Sequence, residues 1–174
     1  MRIAVVSDSH DHLENLARVL ERIRAAEPDA LIHCGDFCAP FVLPELDRLQ
    51  VPVHGVFGNV DGDRFTMARL ASDELRNVTL HGEWAEVEFD GFKVAMNHYP
   101  RLAEGLAATG RYDLVAYGHT HEAERRRVGE TWLLNPGEIL GRKGPPGYAL
   151  VDTEGAPPEL HTLDAAYDSD SDGA

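Results

Sequence analysis

Short, wholly apolar runs alternate with amphipathic segments along the first third of this chain. Residues 2–7 (Arg2, Ile3, Ala4, Val5, Val6, Ser7) read as a strand. Residues 12–26 place Leu13, Leu16, Ala17, Leu20 and Ile23 at helical spacing, and Ala30 to Cys34 is a second strand. A second helix is expected over about residues 41–49, followed by a third strand from Val53 to Phe57. Strands that are apolar on both faces and alternate with helices require a parallel sheet covered on both sides. The second half changes character. Trp84–Phe89 and Phe92–Met96 flank Asp90-Gly91, a strong hairpin signal, and a second hairpin is expected at Gly129-Glu130 between residues 123–128 and 131–134. A helix over about 101–109 and a strand from Leu114 to Tyr117 lie between them. The expected fold is α/β: a two-sheet β-sandwich core flanked by helices, four layers in the order αββα.

At 174 residues the chain has the size of one domain, expected over residues 1–164. Residues 165–174 hold too little apolar surface to pack and read as a disordered acidic tail. The net charge is −14, and Lys93 and Lys143 are the only lysines. Such a surface repels the phosphate backbone, so an extended duplex nucleic acid is excluded as a partner. Carboxylate-rich, lysine-poor surfaces suit a salty interior, which leads to the expectation of a halophilic source. No apolar run approaches the length of a membrane span, and the N-terminus opens on a strand without a signal-peptide pattern, so a soluble cytoplasmic protein with no membrane partner is expected. Cys34 and Cys38 lack the partners of a zinc knuckle and read as two buried free thiols.

Five of the apolar runs end directly in residues able to hold a metal: Asp8 and His10, Asp36, Asn59, His98, and His119 with His121. In open α/β sheets ligands bind beyond the carboxyl ends of the strands, so these five ends can converge on one crevice. Oxygen and imidazole donors without thiolate suit Mn, Fe, Zn, Co or Ni better than a site for Mg or Ca alone. The i, i+2 spacing of Asp8 with His10, and of His119 with His121, turns both members of a pair to one side of an extended segment. A carboxylate such as Asp36 can bridge two ions. Gly35, Gly58 and Gly118 each precede a candidate ligand, where the backbone must turn sharply or approach closely.

The ordered set Asp8-Ser9-His10, Gly35-Asp36, Gly58-Asn59-Val60-Asp61, His98 and Gly118-His119-Thr120-His121 resembles the motifs of the calcineurin-like metallophosphoesterase superfamily, in its small bacterial and archaeal phosphodiesterase form. Asn135-Pro136-Gly137 resembles a later element of the same enzymes. The resemblance implies two divalent ions, with Mn the first choice and Ni, Fe, Zn, Co or Mg as alternatives. Asp8, His10, Asp36 and His121 would hold one ion, and Asp36, Asn59, His98 and His119 the other. It implies hydrolysis of phosphate esters, most of all small phosphodiesters, by a hydroxide bridging the ions. A phosphomonoesterase, or a non-catalytic scaffold similar to the retromer subunit of this fold, is the alternative. Two positions depart from the pattern. Val60 stands where the large phosphatases place a leaving-group acid, and Tyr99 follows His98 where the small enzymes usually have Gly. Asp61 is carried as the catalytic candidate, as an acid or as a support behind the ligands.

Among the other histidines, His12 opens a helix, and His33 and His54 are expected to pack or to orient ligands. His81 and His161 carry no functional expectation. Asn135 is a candidate structural partner beneath the metals, within what reads as a turn.

Overall fold

The computed structural model describes residues 1–163. The acidic tail therefore lies outside the described residues. In chain order the elements are β1 (Arg2–Val6), α1 (Leu13–Ala25), β2 (Ala30–His33), α2 (Val42–Asp47), β3 (Val53–Gly55), α3 (Arg64–Asp73) and β4 (Val78–Leu80). They continue with β5 (Trp84–Phe89), β6 (Phe92–Asn97), α4 (Pro100–Ala108), β7 (Leu114–Ala116), β8 (Glu124–Val128), β9 (Thr131–Asn135), β10 (Gly147–Asp152) and β11 (Glu159–Thr162).

Two sheets face each other. The first has the order β11-β10-β1-β2-β3-β4, the second β5-β6-β7-β9-β8. β1 to β4 run parallel to one another, as do β6, β7 and β9, while β5, β8 and β10 pair antiparallel with their neighbours. Period-2 alternation divides each strand between two cores. Ile3, Val5 and Ile32 face inward against Val94, Met96, Leu114 and Leu134 of the other sheet. Ala4, Val6 and Leu31 face outward onto Leu16, Val19 and Ile23 of α1, Leu43 and Leu46 of α2 and Met67 of α3. On the far side Ala95, Val115 and Leu133 receive Ala103 and Ala107 of α4. The result is the expected αββα sandwich.

Individual elements differ from the sequence reading. α3 and β4 extend the parallel unit by one more helix and strand. α3 buries only Met67, so it lacks the apolar stripe that would mark it, and its start is set instead by the Asp63 carboxylate accepting the Thr66 N–H at 3.0 Å. β10 and β11 add the antiparallel edge of the first sheet; β10 opens on glycine after Pro145-Pro146, and β11 is polar and partly exposed. β3 and β7 stop earlier than expected, at Gly55 and Ala116, where the chain peels away into ligand-bearing loops. The Asp90-Gly91 hairpin is present, with φ of 50° and 90° at its two turn residues.

Candidate metal centre

The parallel strands aim their carboxyl ends the same way. β1, β2 and β3 deliver Asp8 and His10, Asp36 and Asn59 from the first sheet; β6 and β7 deliver His98, and His119 with His121, from the second. All seven candidate ligands meet in the cleft between these ends. Asp8, His10 and His121 present ligand atoms that lie within 4.8 Å of one another, and so do Asp8, Asp36 and His98. Asp36 Oδ2 stands 3.6 Å from His10 Nε2 and 3.3 Å from His98 Nε2, so one carboxylate faces both halves of the site. Asn59 Oδ1 lies 3.0 Å from His98 Nε2 and 2.8 Å from His119 Nδ1. Asp8 Oδ1 lies 3.3 Å from His121 Nε2.

Five of these seven residues, Asp8, His10, Asp36, His119 and His121, have φ between 42° and 71°. Non-glycine residues rarely take up this left-handed conformation, and such strain persists where surrounding structure holds it. The surroundings here do so through hydrogen bonds. Asp8 N–H donates to Gly35 O and His10 N–H to Asp36 O, each at 3.0 Å, which locks the first two loops together. Gly58 and Gly118 permit the closest approaches. A Cβ on Gly58 would lie 2.1 Å from Asp36 Oδ1, and one on Gly118 would lie 2.0 Å from Ser7 Oγ and 2.6 Å from Asp8 Oδ2.

The imidazoles are oriented from behind. His98 Nδ1 faces the Cys34 carbonyl at 2.8 Å; a carbonyl only accepts, so Nδ1 carries a hydrogen and Nε2, facing Asp36 and Asn59, is the nitrogen that can bind an ion once deprotonated. His121 Nδ1 donates to the buried Glu138 carboxylate at 2.5 Å, which leaves Nε2 for the cleft. Sequence reasoning missed Glu138. The only pointer was its place directly after Asn135-Pro136-Gly137. His33 is fully buried: its Nδ1 accepts the Gly35 N–H and its Nε2 lies 3.1 Å from Ser9 Oγ, beneath the β1 loop. Burial pushes His33 down to about 3, so it stays neutral.

One expectation changes with the geometry. Cys38 is only half-buried, and its Sγ lies 3.5 Å from His10 Nδ1, so it is not simply a core thiol. Asp61 turns its carboxylate onto the backbone: Oδ2 accepts from Gly58 N at 2.7 Å and Asp36 N at 3.2 Å, and Oδ1 accepts from Cys38 N at 2.8 Å. It thereby ties the Asp36 loop to the Asn59 loop. Asn135 ties the third loop, donating to Gly118 O and Thr120 Oγ1 and accepting the Gly137 N–H. His12 caps α1 through Nδ1, and His54 pairs with His81 at 3.0 Å, outside the cluster of ligands.

The charge distribution suits a cation. Burial raises Asp8 and Asp36, but the surrounding imidazoles, with Ser7 at Asp8 and the Val60 N–H at Asp36, outweigh it and hold both below the usual carboxylate range. The Asp8 carboxylate, 3.7 Å away, raises His10 above the usual histidine range against burial, with Asp36 adding to it. At His98 burial acts downward and the Asp36 and Asp8 carboxylates more than reverse it. Asp8 Oδ1 and His10 Nε2 are buried without a hydrogen-bonding partner among the described residues. Unpaired buried polar atoms are costly, and a carboxylate oxygen and an imidazole nitrogen that can each turn a lone pair to one gap fit a cation placed between them.

The model of the calcineurin-like phosphoesterase superfamily domain matches residues 1–156. The phosphodiesterase MJ0936 of Methanocaldococcus jannaschii is 34% identical over 157 residues, covering 88% of this chain and 94% of that protein. The solved structure of an archaeal phosphodiesterase superposes with a TM-score of 0.84 at 32% identity, over 94% of this chain and all of that one. The vacuolar protein sorting 29 protein of Cryptosporidium parvum shares the fold, with a TM-score of 0.65 at 19% identity over 86% of this chain and 83% of its own. No helix among the described residues is long and apolar enough to cross a membrane.

Proposed function

The chain belongs to the calcineurin-like phosphoesterase superfamily, and from that premise we propose that it hydrolyses small phosphodiesters with two divalent ions held at this centre. Membership makes it a metal-dependent phosphoesterase. The observation that carries it is the Asp36 carboxylate, which faces His10 on one side and His98 on the other within 3.6 Å. Asp8, His10, Asp36 and His121 would hold one ion, and Asp36, Asn59, His98 and His119 the other. The donor set of carboxylate, amide and imidazole favours Mn, with Ni, Fe, Zn, Co and Mg as competitors. When bound, the pair supplies an activated water and neutralises charge on the phosphoryl oxygens.

The chain's own residues supply orientation. Glu138 and the Cys34 carbonyl fix which nitrogens of His121 and His98 face the cleft. With both carboxylate oxygens committed to backbone N–H groups, Asp61 acts as a positioning residue rather than as an acid at the substrate. Val60 is 42% exposed next to Asn59 and has no proton to give. Substrates with good leaving groups are therefore favoured, since help from a general acid is worth about 10²- to 10⁴-fold.

The test is hydrolysis of bis-p-nitrophenyl phosphate and of p-nitrophenyl phosphate by Mn-loaded protein, with metal content measured on the same samples. The diester is expected to be the faster substrate. Asp36→Asn is expected to lower the rate by about 100-fold or more, as loss of a shared ligand should. A variant that keeps a near wild-type rate would overturn the assignment. Bound metal without turnover would point to a scaffold, and faster monoester hydrolysis to a phosphomonoesterase.

A further inference from the structure

We propose that Tyr99 determines specificity: its ring is an aromatic wall beside His98 and His119, and it selects phosphodiesters that carry a planar aromatic group next to the phosphorus. The inference rests on the phosphodiesterase reading and names the kind of ester that the site prefers.

The position of the ring is set by the backbone on both sides. Pro100 keeps Tyr99 out of the helical region, and the residue is extended, with φ −100° and ψ 131°. Its N–H donates to Asn97 Oδ1 at 2.7 Å, and its carbonyl accepts the Ala103 N–H at 3.0 Å as α4 begins. Its backbone is thereby fixed between the end of β6 and the start of α4. The ring centroid lies 5.3 Å from that of His98 at an interplanar angle of 80°, and 5.5 Å from that of His119 at 57°. Those two imidazoles are 5.1 Å apart and both turn a nitrogen toward Asn59 Oδ1. Tyr99 is thus packed on two ligands of one candidate ion, and it stays partly accessible.

Other tyrosines show what a purely structural role looks like in this fold. Tyr112 and Tyr117 are buried, and each phenol is bound to a glutamate, Glu86 and Glu124 respectively. The Tyr99 hydroxyl has no hydrogen-bonding partner among the described residues. A partly exposed ring at the edge of the candidate metal centre offers a face to any flat group attached to a phosphate bound there. Aromatic contacts of this kind change affinity by about 3- to 10-fold.

Calorimetry on the Mn-loaded protein with phenylphosphonate and methylphosphonate reads the preference without turnover. Wild type is expected to bind phenylphosphonate about 3- to 10-fold more tightly. Tyr99→Phe should keep that ratio, whereas Tyr99→Ala and the bulkier Tyr99→Leu should each bring it close to one. In hydrolysis of bis-p-nitrophenyl phosphate, Tyr99→Ala should raise KM by about the same factor and leave kcat within about 2-fold. No preference in wild type, or a preference that survives in both Tyr99→Ala and Tyr99→Leu, overturns the proposal. Loss of the preference in Tyr99→Phe also overturns it, because recognition would then belong to the hydroxyl. If the phosphonate preference follows Tyr99 as expected but no ester is hydrolysed, it is the phosphodiesterase reading that fails.

Discussion

Three of the four imidazoles at the metal centre have a neighbour on the ring nitrogen that faces away from the cleft, and the three neighbours differ in chemistry. His98 has a carbonyl, His121 a carboxylate and His10 a thiol. The Glu138 contact is the one that brings a carboxylate to the ring as well as aiming it. Glu138→Gln keeps an acceptor of the same shape and removes the charge, so Mn affinity, measured by competition with a chromogenic chelator, is expected to fall by about 10- to 100-fold. An unchanged affinity would reduce Glu138 to a packing role. Proton competition gives a second expectation. His10 and His98 are both held above the ordinary histidine range, and each must be deprotonated to bind an ion. A raised pKa keeps the site protonated to higher pH. Apparent Mn affinity should therefore climb as pH rises from about 6.5 through those raised values, with protons released on binding. Calorimetry in buffers of different ionisation enthalpy checks both parts, and an affinity that stays flat as pH rises above about 6.5 would contradict the charge distribution described.

Elements explain why so much of this candidate centre is legible in the sequence. A buried parallel strand must be a nearly continuous apolar run, so the first polar residue after it marks the strand end with little ambiguity. Asp8, Asp36 and His98 stand out for that reason, and glycine beside Asp36, Asn59 and His119 sharpens the mark. That the five ends belong to two sheets was less visible, because a strand does not announce its neighbour. α3 escaped notice because it buries a single residue, and β4 because three residues hold no periodicity. The left-handed backbone at Asp8, His10, Asp36, His119 and His121 was not legible either. Nothing in an Asp or His states its φ; the conformation is imposed by loops tied through Asp61 and Asn135, whose partners are 15 to 25 positions away for the bonds that cross between loops. Glycines at positions 58 and 118 were visible as glycines, but the atoms they make room for, Asp36 Oδ1 and Ser7 Oγ, emerge only when the strands are brought together.

For the whole molecule the dominant electrostatic fact is the net charge of −14. Ion pairs do little to offset it. Arg48 with Glu45, Arg69 with Glu74 and Arg126 with Glu104 are substantially exposed, and pairs of that kind are typically worth about 0 to 1 kcal/mol before screening. Salt weakens both these attractions and the far more numerous repulsions, so the balance of pairs decides the sign. At about 0.01 M ionic strength the Debye length is roughly 30 Å, comparable with the width of a domain, and every surface carboxylate feels the others; at about 1 M it is roughly 3 Å and they do not. The melting temperature at fixed Mn concentration is therefore expected to rise with KCl. Screening also sets the shape of the rise. Since the Debye length has already fallen to about 10 Å at 0.1 M, most of the gain should arrive within the first few tenths molar and then level off. A rise that stays linear to molar KCl would instead reflect exclusion of salt from the protein surface, and no rise would mean that the exposed pairs count for as much as the repulsion they sit among.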